Sequence, residues 1–344
     1  MGKAKTIVDF LKKLQKDHGG SLSLDTYDSY TKIKSYLEKH IYKNVEMGAA
    51  LRRDGLLNGH GKQHVDDVIN HITKLLHGNF DSLNLYEVYI LLMATLLHDI
   101  GNIRGRQNHE KNIAATISAC EEFSRLDTPI RHNIQQIASA HGGRTDTGDK
   151  DTLSTVPRQD QLAGMTIRPR AIASILRFAD ELADNSSRAN MDMENQALIP
   201  ELNRIYHFYS KCLQPVRIEG TSIAFDYSMS RSLAVNQFSV RNANGRKVKR
   251  YLFDEIIARL CKSFYEMEYC VKHGGGLFHF DEITAKINIY SDDANKLLLE
   301  IPLRFRSSGY PKLCTSVNDI LESPIPDRYS TGRKLARNMA KKSH

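Results

Sequence analysis

Ala94-Thr95-Leu96-Leu97-His98-Asp99-Ile100-Gly101 places two ionisable side chains at the end of a run that is otherwise almost wholly apolar. From Val88 to Leu97 the chain reads Val, Tyr, Ile, Leu, Leu, Met, Ala, Thr, Leu, Leu, a pattern that predicts a helix buried on most sides. Gly101 is placed to stop that helix. A histidine and an aspartate at a buried tip are costly unless something pairs with them, and a metal ion suits a neutral imidazole beside a carboxylate.

Working outward, residues 3 to 57 predict helices, with Ile7, Val8, Leu11 and Leu14 on one stripe and Ile33, Leu37 and Ile41 on the next. After the polar turn Asn58-Gly59-His60-Gly61, a third helix buries Val65, Val68, Ile69, Ile72 and Leu76, with His64 in its first turn. Beyond the His-Asp pair, a helix capped by Asn108 carries Ile113 and Ile117. The next places Ile130, Ile134 and Ile137 on a stripe whose continuation lands on His141. Residues 144 to 168 show little periodicity and read as a long loop. A helix opening at Pro169 then sets Ile172, Leu176 and Asp180 on one stripe, so a carboxylate faces the apolar side.

Past residue 195 the texture changes. Arg204 to Cys212, Val216 to Glu219, Ser222 to Ser228, Thr284 to Tyr290 and Leu297 to Phe305 read as strands, around a long amphipathic helix from Leu252 to Val271. The expected fold class is mainly α, a helical bundle followed by a smaller α+β domain. The expected division is an N-terminal helical extension (1–57), the helical domain with the His-Asp pair (58–192), an α+β accessory domain (193–306) and a basic, proline-containing tail without a core-forming pattern (307–344).

The chain of 344 residues is long enough for one large or two ordinary domains. Its five cysteines, Cys120, Cys212, Cys261, Cys270 and Cys314, are scattered and lack C-x-x-C spacing, which predicts reduced thiols. No apolar run reaches membrane-spanning length and the N-terminus does not read as a signal peptide, so a soluble cytoplasmic protein with no membrane partner is expected. The net charge of +8 is concentrated at Arg241, Arg246, Lys247, Lys249 and Arg250 and in the tail at Arg333, Lys334, Arg337, Lys341 and Lys342. These clusters keep nucleic acid open as a partner. Tyr265 and Tyr269 on the long helix keep homo-oligomerisation open.

His64, His98, Asp99, His109, His141 and Asp180 thus stand at helix ends or on buried stripes. In this order they resemble the HD-domain metal-dependent phosphohydrolases over roughly residues 50 to 190, most specifically at Leu96-Leu97-His98-Asp99-Ile100-Gly101 and Phe178-Ala179-Asp180-Glu181-Leu182. The chain also resembles the HD proteins linked to bacterial defence or stress signalling, whose helix after the second histidine reads much as this one does. It implies that His64, His98, Asp99 and Asp180 form a four-ligand core, and that His109 and His141 add the ligands of two-metal members, with Asp99 bridging. Imidazoles mixed with carboxylates suit Fe or Mn, with Ni, Zn or Co as further candidates, rather than Mg.

The activity implied is hydrolysis of a nucleotide-type phosphoester, mono- or diester, by a metal-bound hydroxide, with His98 and Asp99 at the chemistry. Arg104, Arg106, Arg144 and Arg188 are the candidates for holding substrate phosphate. Asn102 stands where cyclic-dinucleotide-cleaving relatives carry a lysine, which argues against that substrate. His60 could replace His64 as ligand, but the stripe beginning at Val65 favours His64. His71, His77 and His132 fall off the stripes or beside loops, and Glu181 and Asp184 are candidates to orient a ligand. Two alternatives remain: a nuclease acting on single-stranded nucleic acid along the basic clusters, and a non-catalytic module that senses a nucleotide or docks a partner.

Overall fold

The computed structural model describes residues 4–18, 24–50, 61–76, 79–105, 109–117, 121–183, 199–242, 244–307, 309 and 316–341. Two compact units emerge, one of Met1–Arg52, Gly59–Ala183 and Tyr269–His279, the other of Asp184–Glu268 and Phe280–His344. The fold is mainly α with a smaller α+β part, as the periodicities predict.

The first unit carries α1 (Ile7–His18), α2 (Thr26–His40), α3 (Tyr42–Ala50), α4 (Lys62–Leu75), α5 (Leu85–Leu97), α6 (His109–Ile117), α7 (Glu121–Ser124), α8 (Thr128–Ser139) and α9 (Pro169–Leu182). All 13 residues of α5 are buried. It is the axis of the bundle, packed against α1, α2, α4, α8 and α9. Its start is fixed twice. Asn84 and Glu87 form a capping box, and Arg168 donates from Nε to Glu87 Oε1 and from Nη2 to Oε2, both at 2.7 Å. Arg168 immediately precedes α9, so the pair pins the first turns of α5 and α9 together. Thirteen residues up one helix and eleven up the other, at 1.5 Å each, rise about 20 and 17 Å. His98 and Asp180 consequently arrive at the same end of the bundle.

The segment 144–168 is more structured than its composition predicts. It holds a 3-10 turn at Thr152–Thr155 and a hairpin of β1 (Asp160–Leu162) and β2 (Met165–Ile167). The hairpin turns on Ala163 and Gly164, both at positive φ, as a two-residue turn of this hand requires. Alanine in the first position hides the usual turn signal.

The second unit holds α10 (Arg204–Cys212), β3 (Arg217–Glu219), β4 (Ser222–Ser230), α11 (Arg231–Val235), β5 (Gln237–Arg241), β6 (Lys247–Tyr251), most of α12 (Leu252–His273), β7 (Glu282–Tyr290), β8 (Leu297–Arg306) and α13 (Gly332–Lys341). The main sheet has the order β3-β4-β7-β8, with β4 and β7 parallel from Ser222↔Glu282 to Ser230↔Tyr290. Its neighbours β3 and β8 run antiparallel to them. Phe264 of α12 packs against Phe305 of β8, ring centroids 5.8 Å apart.

Several expectations are corrected. Arg204–Cys212 is a helix, because Ile205, Tyr209 and Cys212, all buried, recur at helical spacing that outweighs the strand propensity of its aromatic residues. The basic stretch 241–250 forms most of the β5–β6 hairpin. The tail is not featureless: α13 buries Leu335 and Met339, packs on α11, and its first N–H donates to Asp254 Oδ1 at 2.8 Å. Tyr265 and Tyr269 are half-buried, not exposed. Cys212, Cys261 and Cys270 form no disulfide; Cys120 and Cys314 lie outside the described residues. Among the described residues no helix is long and apolar enough to cross a membrane.

Candidate metal centre

The ends of α4, α6, α8 and α9 converge on the tip of α5. His64 comes from the first turn of α4 and His98 caps α5. His109 opens α6, His141 follows the cap of α8, and Asp180 lies in the last turn of α9. The chain does not stop at Gly101 as expected. It runs into a 3-10 turn at Ile100–Arg104, and Gly101 is needed for space: a Cβ there would lie 1.9 Å from the carbonyl oxygen of His109. That close approach delivers α6, and with it His109, to the His-Asp pair.

Asp99 divides the cluster. Its Oδ2 lies 3.5 Å from Nε2 of both His64 and His98. Asp180 Oδ1 lies 3.0 Å from His64 Nε2 and 3.6 Å from His98 Nε2. The other oxygen, Asp99 Oδ1, is 3.1 Å from His109 Nε2 and 3.9 Å from His141 Nε2. Within each trio, His64-His98-Asp99 and Asp99-His109-His141, the donor atoms lie within 4.8 Å of one another. His64, His98, Asp99 and His141 are buried; Asp180, 25% exposed, and His109, 16%, form the open side.

Imidazole orientation tests whether cations fit. Nδ1 of His98 faces the Thr95 carbonyl at 2.8 Å and Nδ1 of His141 faces the Ala138 carbonyl at 2.6 Å, so each Nδ1 must carry a proton. In the neutral rings Nε2 then points inward as a lone pair. His64 Nε2 sits 3.2 Å from His98 Nε2, and His109 Nε2 sits 3.0 Å from His141 Nε2. The inward lone pairs of His98 and His141 are thus open to a proton from the neighbouring ring or to a cation. The donor set therefore fits transition-metal ions, with His64, His98, Asp99 and Asp180 on one side and Asp99, His109 and His141 on the other.

The protonation pattern follows from the same geometry. Burial pulls His98 down, but Asp99, Asp180 and the Thr95 carbonyl outweigh it and push the ring up to about 9. His141 is pushed down to about 4 by burial, with His109 and His98 adding to the effect. Burial raises Asp180, but hydrogen bonds from His64 and His98 hold it well below the usual carboxylate range.

Two flanking residues escape a sequence reading built on ligand types. Asn102 is fully buried and donates from Nδ2 to Asp99 Oδ1 at 2.9 Å, which orients the shared carboxylate. Its position three residues after Asp99 is the signal that could have found it. Glu110 sets Oε2 3.4 Å from His109 Nδ1, where its neighbours His98 and His141 have carbonyls. Glu110 also fills the space a Cβ at Gly143 would need, 2.6 Å from Oε1. His71, expected off the stripe, is buried on α4 and pushed down to about 3 by burial, with Lys74 and His64 adding. Arg104 and Arg144 are exposed, and His132 is exposed on α8. Arg106, Arg188, His60, His77, Asn108 and Asp184 lie outside the described residues.

A sequence model described as HD-CE matches residues 28–262 of the chain. No curated protein and no solved structure matches it. The match runs from α2 into α12 and contains all six residues of the cluster. The clustered histidines and aspartates are compatible with an HD-type metal-dependent hydrolase.

Proposed function

Since the chain belongs to the HD-CE family, we propose that it is a metal-dependent phosphohydrolase that cleaves a nucleotide-type phosphoester at a two-ion centre. The observation that carries this reading is Asp99, whose two carboxylate oxygens each face a separate set of imidazoles, 3.5 Å from His64 and His98 and 3.1 Å from His109. When bound, a pair of divalent ions, Fe or Mn by the donor types, would supply an activated water and neutralise phosphoryl oxygens. The chain's own residues supply the rest. The Thr95 and Ala138 carbonyls fix the tautomers of His98 and His141. Asn102 aims Asp99, and the apolar walls of α5 exclude bulk water from the inner side. Asp180 and His109 stand where substrate enters, and Arg144 is the described arginine best placed by sequence to meet a phosphate there, three residues after His141.

The test is metal analysis joined to a phosphatase and phosphodiesterase screen on a nucleotide panel. Asp99→Ala is expected to lose the bound metal and to abolish turnover while keeping the helical circular-dichroism spectrum. Full activity in that variant would refute the proposal.

The nuclease reading is less well supported. Lys247 and Lys249 both reach Glu201, at 2.7 and 3.8 Å, and Arg250 pairs with Glu255 at 2.8 Å. Part of the basic hairpin is thereby paired within the same unit.

A further inference from the structure

A cavity of about 440 Å³, in the range of small-molecule sites, adjoins the second pair of histidines and includes Arg144, which the reading above places by sequence alone. Its wall begins one residue after each of them: Glu110 and Lys111 follow His109, and Gly142 and Arg144 follow His141. From α8 come His132, Gln135, Gln136 and Ser139, spaced i, i+3, i+4 and i+7, which is one helix face. The lining has no Phe or Tyr, and its apolar side chains are Ala140 and Val156. A nucleobase would find no stacking surface there, and an acyl chain no apolar burial. What the cavity offers is a set of N–H and O–H donors.

Its two permanent cations are uncommitted. Among the described residues Lys111 and Arg144 have no carboxylate partner, whereas Lys34, Lys62 and Arg168 of the same unit each have one. Arg144 donates one guanidinium N–H to the Gly148 carbonyl at 2.7 Å, which steadies the fork and leaves the other donors for a ligand. Two carboxylates oppose them. Glu110 is turned toward His109 Nδ1, and Asp146 is exposed to solvent.

We propose that this cavity is an oxyanion subsite that takes a second phosphate of the substrate, so that the protein selects esters bearing several phosphates over esters bearing one. The inference rests on the phosphohydrolase reading, but anion binding can be measured apart from turnover. Inorganic tripolyphosphate is titrated calorimetrically into the metal-free chain, and kcat/KM is measured on the metal-loaded chain for a nucleoside triphosphate and for p-nitrophenyl phosphate. Lys111→Ala and Arg144→Ala are each expected to weaken tripolyphosphate binding about tenfold, the worth of one charge-assisted contact, and to lower the triphosphate to p-nitrophenyl phosphate ratio by a similar factor. Lys74→Ala removes an equal charge from an exposed site outside the cavity and is expected to change neither. Equal losses in all three variants, or no loss in any, would overturn the subsite. Cavity-dependent binding without turnover of either ester by the parent chain would support the subsite and overturn the hydrolase reading.

Discussion

At His98 a proton and a metal ion held at the proposed centre would compete for one lone pair. Nδ1 is held by the Thr95 carbonyl, so either must bind at Nε2. The carboxylates keep the proton there up to about pH 9 in the metal-free chain, and binding an ion must expel it. Apparent metal affinity is therefore expected to rise about tenfold per pH unit and to level off once the ring has lost its proton. Metal titrations across roughly pH 6 to 9, near and above the ordinary histidine range, check this; a flat profile would contradict it. Glu110 permits a finer test. A carboxylate behind Nδ1 makes His109 a stronger donor than a carbonyl would, so Glu110→Gln is expected to weaken the second ion about tenfold or more and to spare the first. Metal counted per chain at limiting concentrations reads the difference. Five of the cluster residues were legible because each stands on or beside an apolar stripe near a helix end, whereas His109, in a polar segment, was legible only as part of the ordered set. The positioning roles of Asn102 and Glu110 were not, since a side chain that acts through another residue shows its role only once the fold brings it to Asp99 or His109.

The pin between α5 and α9 belongs to the scale of elements. Glu87 is buried and takes both forks of Arg168, whose side chain is 32% exposed. Arg168→Ala would strand a buried carboxylate, and is expected to cost about 3 kcal/mol in urea unfolding. Converting Glu87 to Gln in that background should recover part of the loss. Gly101→Ala acts differently, because the obstacle is a backbone carbonyl that cannot rotate aside. Its expected result is a shifted α6, a second ion bound more weakly, and a first ion largely retained. Periodicity located most of the helices and the strands of the main sheet. It failed where two signals conflicted or one was short: in α10 aromatic residues argued for a strand against a helical apolar spacing, and in α13 two apolar residues among basic ones were too few to register.

Across the whole molecule, part of the basic surface behind the +8 charge is paired with carboxylates. Lys247, Lys249, Arg250, Arg304 and Lys334 each have acidic partners at Glu201, Glu255, Glu282 or Asp327. Single-stranded DNA is accordingly expected to bind no tighter than about 10⁻⁴ M near physiological salt, with a shallow salt dependence. A steep slope would restore the nuclease reading. The unit with the histidines is also not continuous in sequence. Gly275 approaches Ala171, Phe278 stacks with Phe178 at a centroid distance of 6.2 Å, and His273 Nε2 meets both oxygens of Asp151 at 3.0 and 2.9 Å. During biosynthesis, a ribosome adding roughly 5–20 residues per second has made all six side chains of the cluster once it passes Asp180, yet the strip that completes their unit, Tyr269–His279, is still nearly a hundred residues from being translated. The nascent chain carries the cluster before it can complete the unit around it, so metal met during synthesis would find that unit unclosed.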